Sequence, residues 1–102
     1  SKIEAGMMTF ERAPFSLEAT LQHLAALSGQ RARDRGLELL FDIGPGVPDR
    51  LIGDSLRLGQ LLINLVGNAI KFTEQGEIKV SVAVAGQEAD TVRLRFTVRD
   101  TG

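Results

Sequence analysis

Residues 54–72 restrict the fold of this chain most, because they form a long apolar stretch with polar residues at helical spacing. At about 100° per residue, five of the polar side chains fall within one arc of roughly 80°. This arc, called the polar seam below, consists of Arg57, Gln60, Asn64, Asn68 and Lys71. Nearly everything else on the cylinder is apolar. The pattern predicts a largely buried helix with a narrow polar seam, which starts after an N-cap at Asp54, runs to Phe72 and is ended near the Gln75-Gly76 turn.

Composition excludes several classes of protein. The 102 residues allow one domain with a single modest core. The absence of Cys excludes disulfide scaffolds, thiolate metal sites and cysteine nucleophiles. The net charge of −1 argues against binding to nucleic acid, which requires a basic excess. No apolar run is long enough to span a membrane and no signal pattern is present, so we expect a cytoplasmic segment.

The first half of the chain contains signals for one helix between two strands. Weak alternation over Thr9 to Phe15 predicts a short edge strand. Ser16 fits an N-cap, and Gly36 fits the left-handed residue that closes a helix, so we predict a helix over 17–35. The strand Leu37–Ile43 follows, and the loop Gly44–Pro48 comes after it.

The second half ends in a predicted β-hairpin. Apolar and polar residues alternate over Ile78–Val84 and again over Val92–Val98, and residues 86–90 connect the two runs. The predicted order is strand, helix, strand, helix, strand, strand. Two helices on one face of a mixed sheet would bury the apolar faces, so we predict an α+β fold.

The polar seam has an unusual composition for a solvated helix face. Asn64 and Asn68 lie one turn apart in mid-helix, although Asn is a poor helix former. Amide oxygens can ligate Mg²⁺ beside waters and phosphate oxygens, and the ammonium of Lys71 can neutralise phosphate charge. Gly67 would let a ligand approach the backbone. This chemistry alone leaves two interpretations open, a phosphate-and-metal site and an ordinary solvated face.

Three segments together resemble sensor histidine kinases. Asp54–Thr73, which reads DSLRLGQLLINLVGNAIKFT, closely resembles the N box of that family over nearly every fixed position. Ser1–Gly6 is similar to the end of the second helix of the dimerisation and phosphoacceptor domain. Asp100-Thr101-Gly102 resembles the opening of the first glycine box, D-x-G-x-G. The Lys-Phe-Thr ending of the N box is similar to hybrid kinases, which carry a receiver domain.

The resemblance implies a fold and a domain division. The catalytic ATP-binding domain of this family (HATPase_c) is a two-layer α/β sandwich of the GHKL, or Bergerat, type. Residues 1–8 would be the end of the dimerisation helix and a linker, and residues 9–102 the N-terminal part of the catalytic domain. The chain begins without Met and stops before the second Gly of the glycine box, so we expect a piece of a longer chain, cut before the ATP lid.

The resemblance also implies ligands for ATP and Mg²⁺. By similarity, Asn68 would coordinate the Mg²⁺ that bridges the ATP phosphates, and Asn64 and Lys71 would contact phosphate oxygens. Asp100 would accept a hydrogen bond from the adenine amino group, and Gly102 would let the chain turn under the base. Asn64 matches a position where related ATPases such as DNA gyrase B carry a Glu that activates water. Because Asn cannot take a proton, phosphoryl transfer to a histidine is favoured over hydrolysis.

The partners implied by the resemblance are domains of a phosphorelay. The ATP γ-phosphate would pass to a histidine of the parent's own phosphoacceptor and dimerisation domain, in a homodimer, and then to an aspartate of a response-regulator receiver domain. That histidine is expected outside this segment. His23 is no substitute, since Leu24-Ala25-Ala26 follows it in place of the acidic residue of the acceptor motif.

Three other interpretations stay open, namely a non-catalytic kinase-like module that binds nucleotide or a partner, a water-activating ATPase, and an α+β scaffold. We expect the 102-residue chain alone neither to autophosphorylate nor to hold ATP tightly. We also expect it to self-associate through an exposed sheet edge at Val92–Val98. The sequence leaves open whether the parent is anchored in the inner membrane.

Overall fold

The computed structural model describes residues 12–101. The expectations for residues 1–8, for the start of the first strand at Thr9–Glu11 and for Gly102 therefore lie outside the described residues. The elements follow in the order β1 (Ala13–Ser16), α1 (Leu17–Asp34), β2 (Leu37–Ile43), β3 (Arg50–Gly53), α2 (Ser55–Phe72), β4 (Gly76–Glu88) and β5 (Thr91–Asp100).

The main sheet has the strand order β2-β4-β5. Strand β2 runs parallel to β4, and β4 runs antiparallel to β5, so the sheet is mixed. The buried side chains Ile78, Val80 and Val82 alternate along β4 and join one core with the buried residues of both helices. The predicted α+β fold, with helices on one face of a mixed sheet, is confirmed.

Helix α1 begins and ends where local hydrogen bonds dictate. The Ser16 hydroxyl accepts from the backbone N–H of Ala19 at 3.1 Å, as expected of an N-cap. At the other end Gly36 has a φ of +73°, and its N–H donates to the Arg33 carbonyl at 2.9 Å. A left-handed backbone conformation at this position costs Gly little free energy, and it ends the helix. The predicted span 17–35 is correct to within one residue.

Helix α2 also has the predicted bounds. The Asp54 side chain accepts from the backbone N–H of Arg57 at 3.0 Å, and Thr73 is the C-cap. The side chains of Leu62, Val66 and Ile70 are buried, with exposed fractions of 2% or less. These residues, at spacings of four, are the stripe that fixes α2 on the sheet.

Strand β3 is absent from the predicted element order. It has only four residues, and it pairs antiparallel with β1 in a separate two-stranded sheet. Arg50–Gly53 is too short to show alternation, so only the pairing with β1 defines it as a strand. The first predicted strand therefore belongs to this small sheet and runs through Pro14 to Ser16.

The hairpin between β4 and β5 is tighter than expected. The connection was expected over residues 86–90, but β4 continues to Glu88 and β5 starts at Thr91. Only Ala89 and Asp90 form the turn, with Ala89 at a φ of +42°. A register shift between Val84 and Gly86 marks a bulge that strengthens the local twist.

Candidate functional site

The polar seam lies on the surface of α2. All five of its residues, which are Arg57, Gln60, Asn64, Asn68 and Lys71, are exposed. From Asn64 to Lys71 the helix rises by about 10 Å. The two amides and the ammonium thus form a short polar row with access to a ligand from outside.

The prediction that α2 is largely buried is wrong. Beside the seam, Leu61 is 55%, Leu65 is 42% and Phe72 is 75% exposed, and Leu56 near the start of the helix is 70% exposed. The sheet and α1 cover only part of the cylinder. Within residues 12–101, an apolar strip of Leu61, Leu65 and Phe72 therefore flanks the polar seam in solvent. Apolar surface next to polar groups is the usual lining of a small-molecule site.

Gly67 does not present bare backbone to solvent, as its position beside the seam suggested. A Cβ at this position would lie 3.5 Å from Nη1 and 3.8 Å from Nη2 of Arg31. The guanidinium of α1 therefore fills the space that the missing side chain leaves. It brings a positive charge to the side of α2 that faces α1, next to the seam.

Asp100 is the last residue of β5, and it lies on the face of the sheet that carries the helices. It pairs in register with Ile78 and shares its face with Phe96 and Val98, which pack on the core. Thr101 continues the pairing, since its N–H donates to the Glu77 carbonyl at 3.0 Å and its hydroxyl accepts from the Glu77 N–H at 3.0 Å. These bonds hold the exposed Asp100 at a defined end of the sheet.

The C-terminal end of α2 and the end of β5 border one surface depression. It has a volume of about 570 Å³ and is lined by Phe72, Glu74, Gln75, Gly76 and Thr101. The Lys71 ammonium lies 5.4 Å from the centroid of the Phe72 ring. The sequence analysis counted Phe72 among the apolar residues that bury α2, although its angular position beside Asn68 was an available signal that it lies next to the polar seam.

One polar group under this region lacks a hydrogen bond. Thr73 is 2% exposed, and its hydroxyl has no partner among the described residues.

The side chain of His23 lies exposed on α1. The described residues contain no group of three or more His, Cys, Asp or Glu side chains arranged to hold a metal ion.

The donor set of the seam fits a metal that arrives with a ligand. Mg²⁺ prefers six oxygen ligands and keeps several waters, with one or two protein oxygens and substrate phosphates completing the shell. Asn68 offers one exposed amide oxygen, and Asn64 offers another one turn away. Such a pair suits a phosphate-bound Mg²⁺ and does not suit a resident metal ion.

Comparison with known proteins gives a consistent answer. Residues 53–102 match the family described as "Histidine kinase-, DNA gyrase B-, and HSP90-like ATPase" (HATPase_c). The signal transduction histidine-protein kinase BarA of Escherichia coli is 46% identical over the whole chain, which spans 11% of BarA. Hybrid signal transduction histidine kinase L of Dictyostelium discoideum is 40% identical over the whole chain, which spans 6% of that protein.

A solved structure agrees with these sequence matches. The crystal structure of full-length ShkA in complex with AMPPNP superimposes with a TM-score of 0.79 at 35% identity, covering 93% of this chain and 19% of ShkA. Within residues 12–101, no helix is both long and apolar enough to cross a membrane. The sequence matches, the shared fold and the N box on α2 together show that the chain belongs to the sensor histidine kinase family, as part of its HATPase_c-type catalytic domain.

Proposed function

We propose that this chain is the ATP-binding part of a sensor histidine kinase that transfers the γ-phosphate of ATP to a histidine. The observation that carries the proposal is the exposed row of Asn64, Asn68 and Lys71 on α2, in a chain of this family. Phosphoryl transfer depends on positioning and charge neutralisation more than on covalent chemistry by the protein. Two amides and an ammonium supply such groups.

Each residue of the row has a proposed role. Asn68 holds the Mg²⁺ that accompanies the ATP phosphates, and that ion neutralises phosphate charge when bound. Asn64 and Lys71 bind phosphate oxygens, with Lys71 acting as a point charge. At the end of β5, Asp100 accepts from the adenine amino group, and Gly102 leaves room for the base. AMPPNP bound to ShkA, a structural relative, supports a nucleotide as the ligand.

We extend the proposal to the parent protein as a phosphorelay. The phosphoacceptor histidine lies in the parent's own dimerisation domain, and the parent is a homodimer. The phosphoryl group then passes to an aspartate of a receiver domain. The name of the Dictyostelium relative, a hybrid kinase, supports a receiver within the same protein. We place the catalytic segment in the cytoplasm.

Hydrolysis by an activated water is the less favoured chemistry. A water-activating ATPase needs a group that accepts a proton near the γ-phosphate. Asn64 occupies the corresponding place on the seam, and an amide does not accept that proton. The remaining alternative function is that of a regulatory module, which binds nucleotide or a partner kinase without transferring phosphate.

The test is autophosphorylation of the full-length protein with ATP labelled at the γ-phosphate. We expect acid-labile, alkali-stable label, typical of phosphohistidine. Asn68→Asp should lose most of this label, because a carboxylate at the proposed Mg²⁺ position adds negative charge beside the triphosphate and lacks the N–H donors of the amide. Gln87→Glu, the same chemical change at an exposed residue of β4, serves as the matched control and should keep its label.

Each outcome distinguishes the candidates. Full labelling of Asn68→Asp would remove Asn68 from its role. Nucleotide binding without any label would favour the regulatory module. Release of inorganic phosphate without label on the protein would favour the water-activating ATPase.

A further inference from the structure

The face of the main sheet that points away from the helices carries a row of cations. Strands β4 and β5 place on this side Lys79, Arg93, Arg95 and Arg99, called the basic face below. All four residues are exposed. Arg93 to Arg99 spans about 20 Å of extended strand.

The positive charges of the basic face repel one another. Lys79 lies directly opposite Arg99 in the antiparallel register, and its neighbour on the β2 side is Leu40. Like charges in opposite positions destabilise a strand pair. Within residues 12–101, none of the four cations forms an ion pair with a carboxylate. No ion pair within the described residues therefore holds these four side chains in place.

The groups between the cations suit an anionic partner. Ser81 and Thr97 lie opposite each other in the middle of the face and offer hydroxyl donors. Arg95 is opposite Ala83, and Arg93 lies over Gly86, where an added Cβ would be 3.8 Å from its Nη1. Arg93 and Arg95 thus have small cross-strand neighbours, and both side chains are exposed.

The carboxylates of this face lie at its margins. Glu38 and Asp42 point outward from β2, on the far side of β4. Glu77 lies at the start of β4, two residues before Lys79 on the same face, and Glu88 lies at the hairpin end. On this face the carboxylates therefore lie on β2 and at the two ends of β4, whereas β5 carries the row of three arginines. A row of like charges on a sheet surface gives register and specificity to protein docking.

We propose that the basic face docks a protein surface that carries a row of carboxylates. Charge complementarity over about 20 Å favours an extended partner over a single small anion. Nucleic acid fits less well, because the whole chain has a net charge of −1 and the basic face bears no aromatic side chain for base stacking. The face lies on the opposite side of the sheet from α2, so its role is separate from nucleotide binding.

The test uses the full-length protein and a labelled peptide in which Glu alternates with Thr. In an extended strand, alternate residues lie about 7 Å apart on one face, the same spacing as Arg93 and Arg95. Fluorescence anisotropy measures binding, with a Gln-for-Glu peptide as the uncharged control. We expect binding of the Glu peptide that weakens with salt, and little binding of the Gln peptide.

Matched variants separate the face from net charge. The triple variant Arg93→Gln/Arg95→Gln/Arg99→Gln should bind the Glu peptide about tenfold more weakly, as expected for three exposed ion pairs. Arg31→Gln/Arg33→Gln/Arg35→Gln removes the same charge from the end of α1 and should bind like the native protein. If the first triple variant fails to fold by circular dichroism, the single change Arg95→Gln replaces it and should still weaken binding.

Several results would overturn the proposal. Absence of peptide binding by the native protein would do so, and so would equal weakening in both triple variants. Tighter binding to a single-stranded oligonucleotide or to vesicles with phosphatidylserine than to the peptide would assign the face to nucleic acid or to a membrane. Loss of ATP labelling in Asn68→Asp bears only on the proposed kinase function and leaves this inference untouched.

Discussion

The guanidinium of Arg31 on α1 lies against the backbone of α2 at Gly67, with Nη1 3.5 Å from the place of a missing Cβ. A methyl group at this distance makes ordinary van der Waals contact. Gly in a helix interior costs about 0.5–1 kcal/mol relative to Ala. We therefore expect Gly67→Ala to raise the free energy of unfolding by about that amount, measured by urea denaturation, and to leave nucleotide binding by the full-length protein unchanged.

Gly59 in the same helix provides the control for this prediction. A Cβ at Gly59 meets no atom within 4 Å, so Gly59→Ala should give a similar gain in stability. If Gly67→Ala abolished nucleotide binding while Gly59→Ala did not, the ligand would need the bare backbone at position 67, and Arg31 would not occupy that space in the working protein.

Leu61 and Leu62 are neighbours in sequence with opposite environments. Leu62 is 0% exposed in the core, whereas Leu61 is 55% exposed beside the polar seam. Leu62→Ala leaves a cavity and should lower the free energy of unfolding by about 2–5 kcal/mol. Leu61→Ala should cost less than about 1 kcal/mol, since it removes little buried area. Equal losses in urea denaturation would mean that other residues cover Leu61.

Asp49 caps α1 from the loop before β3. Its carboxylate accepts from the Ser16 hydroxyl at 2.9 Å and from the Glu18 N–H at 2.8 Å, and its carbonyl accepts from the Leu17 N–H at 2.8 Å. Asp49→Ala loses the two side-chain bonds and should lower the free energy of unfolding by about 1–2 kcal/mol. Asp42→Ala, at an exposed site on β2, should stay within about 0.5 kcal/mol of the native value. A loss no larger than that of Asp42→Ala would argue against this cap.

The sequence predicted the elements whose ends are set by interactions between residues close together in the chain. Both helices start at a capping side chain that accepts from the chain three residues on, so Ser16 and Asp54 could be identified from sequence. Strand β3 could not be identified from sequence, because only its pairing with β1 defines it as a strand. Periodicity shows which residues share a helix face but not which face another element covers. The exposure of Leu61 and Phe72 was therefore missed, while the polar seam was found.

Strand β5 is an open edge of the main sheet in the part of the chain that the structure describes, since it pairs only with β4. Unpaired backbone groups along Thr91–Asp100 can accept a strand from another molecule. We expect the 102-residue chain to self-associate, so its mass by light scattering should rise with concentration. A monomeric mass over a wide concentration range would contradict this. The basic side chains of β5 should weaken a contact between two β5 edges, so added salt should increase the mass.

The affinity of the 102-residue chain for Mg-ATP follows from the exposure of the seam. A tight small-molecule site buries most of its ligand, typically about 70–90% of the ligand surface. Within residues 12–101, the face with Asn64, Asn68 and Lys71 stays open to solvent. We therefore expect titration calorimetry to give a dissociation constant weaker than about 1 μM, that is, a binding free energy smaller than about 8 kcal/mol. The weak binding should be lost in Asn68→Ala. A sub-micromolar constant for the native chain would contradict the prediction, because it would show that these residues already enclose the nucleotide.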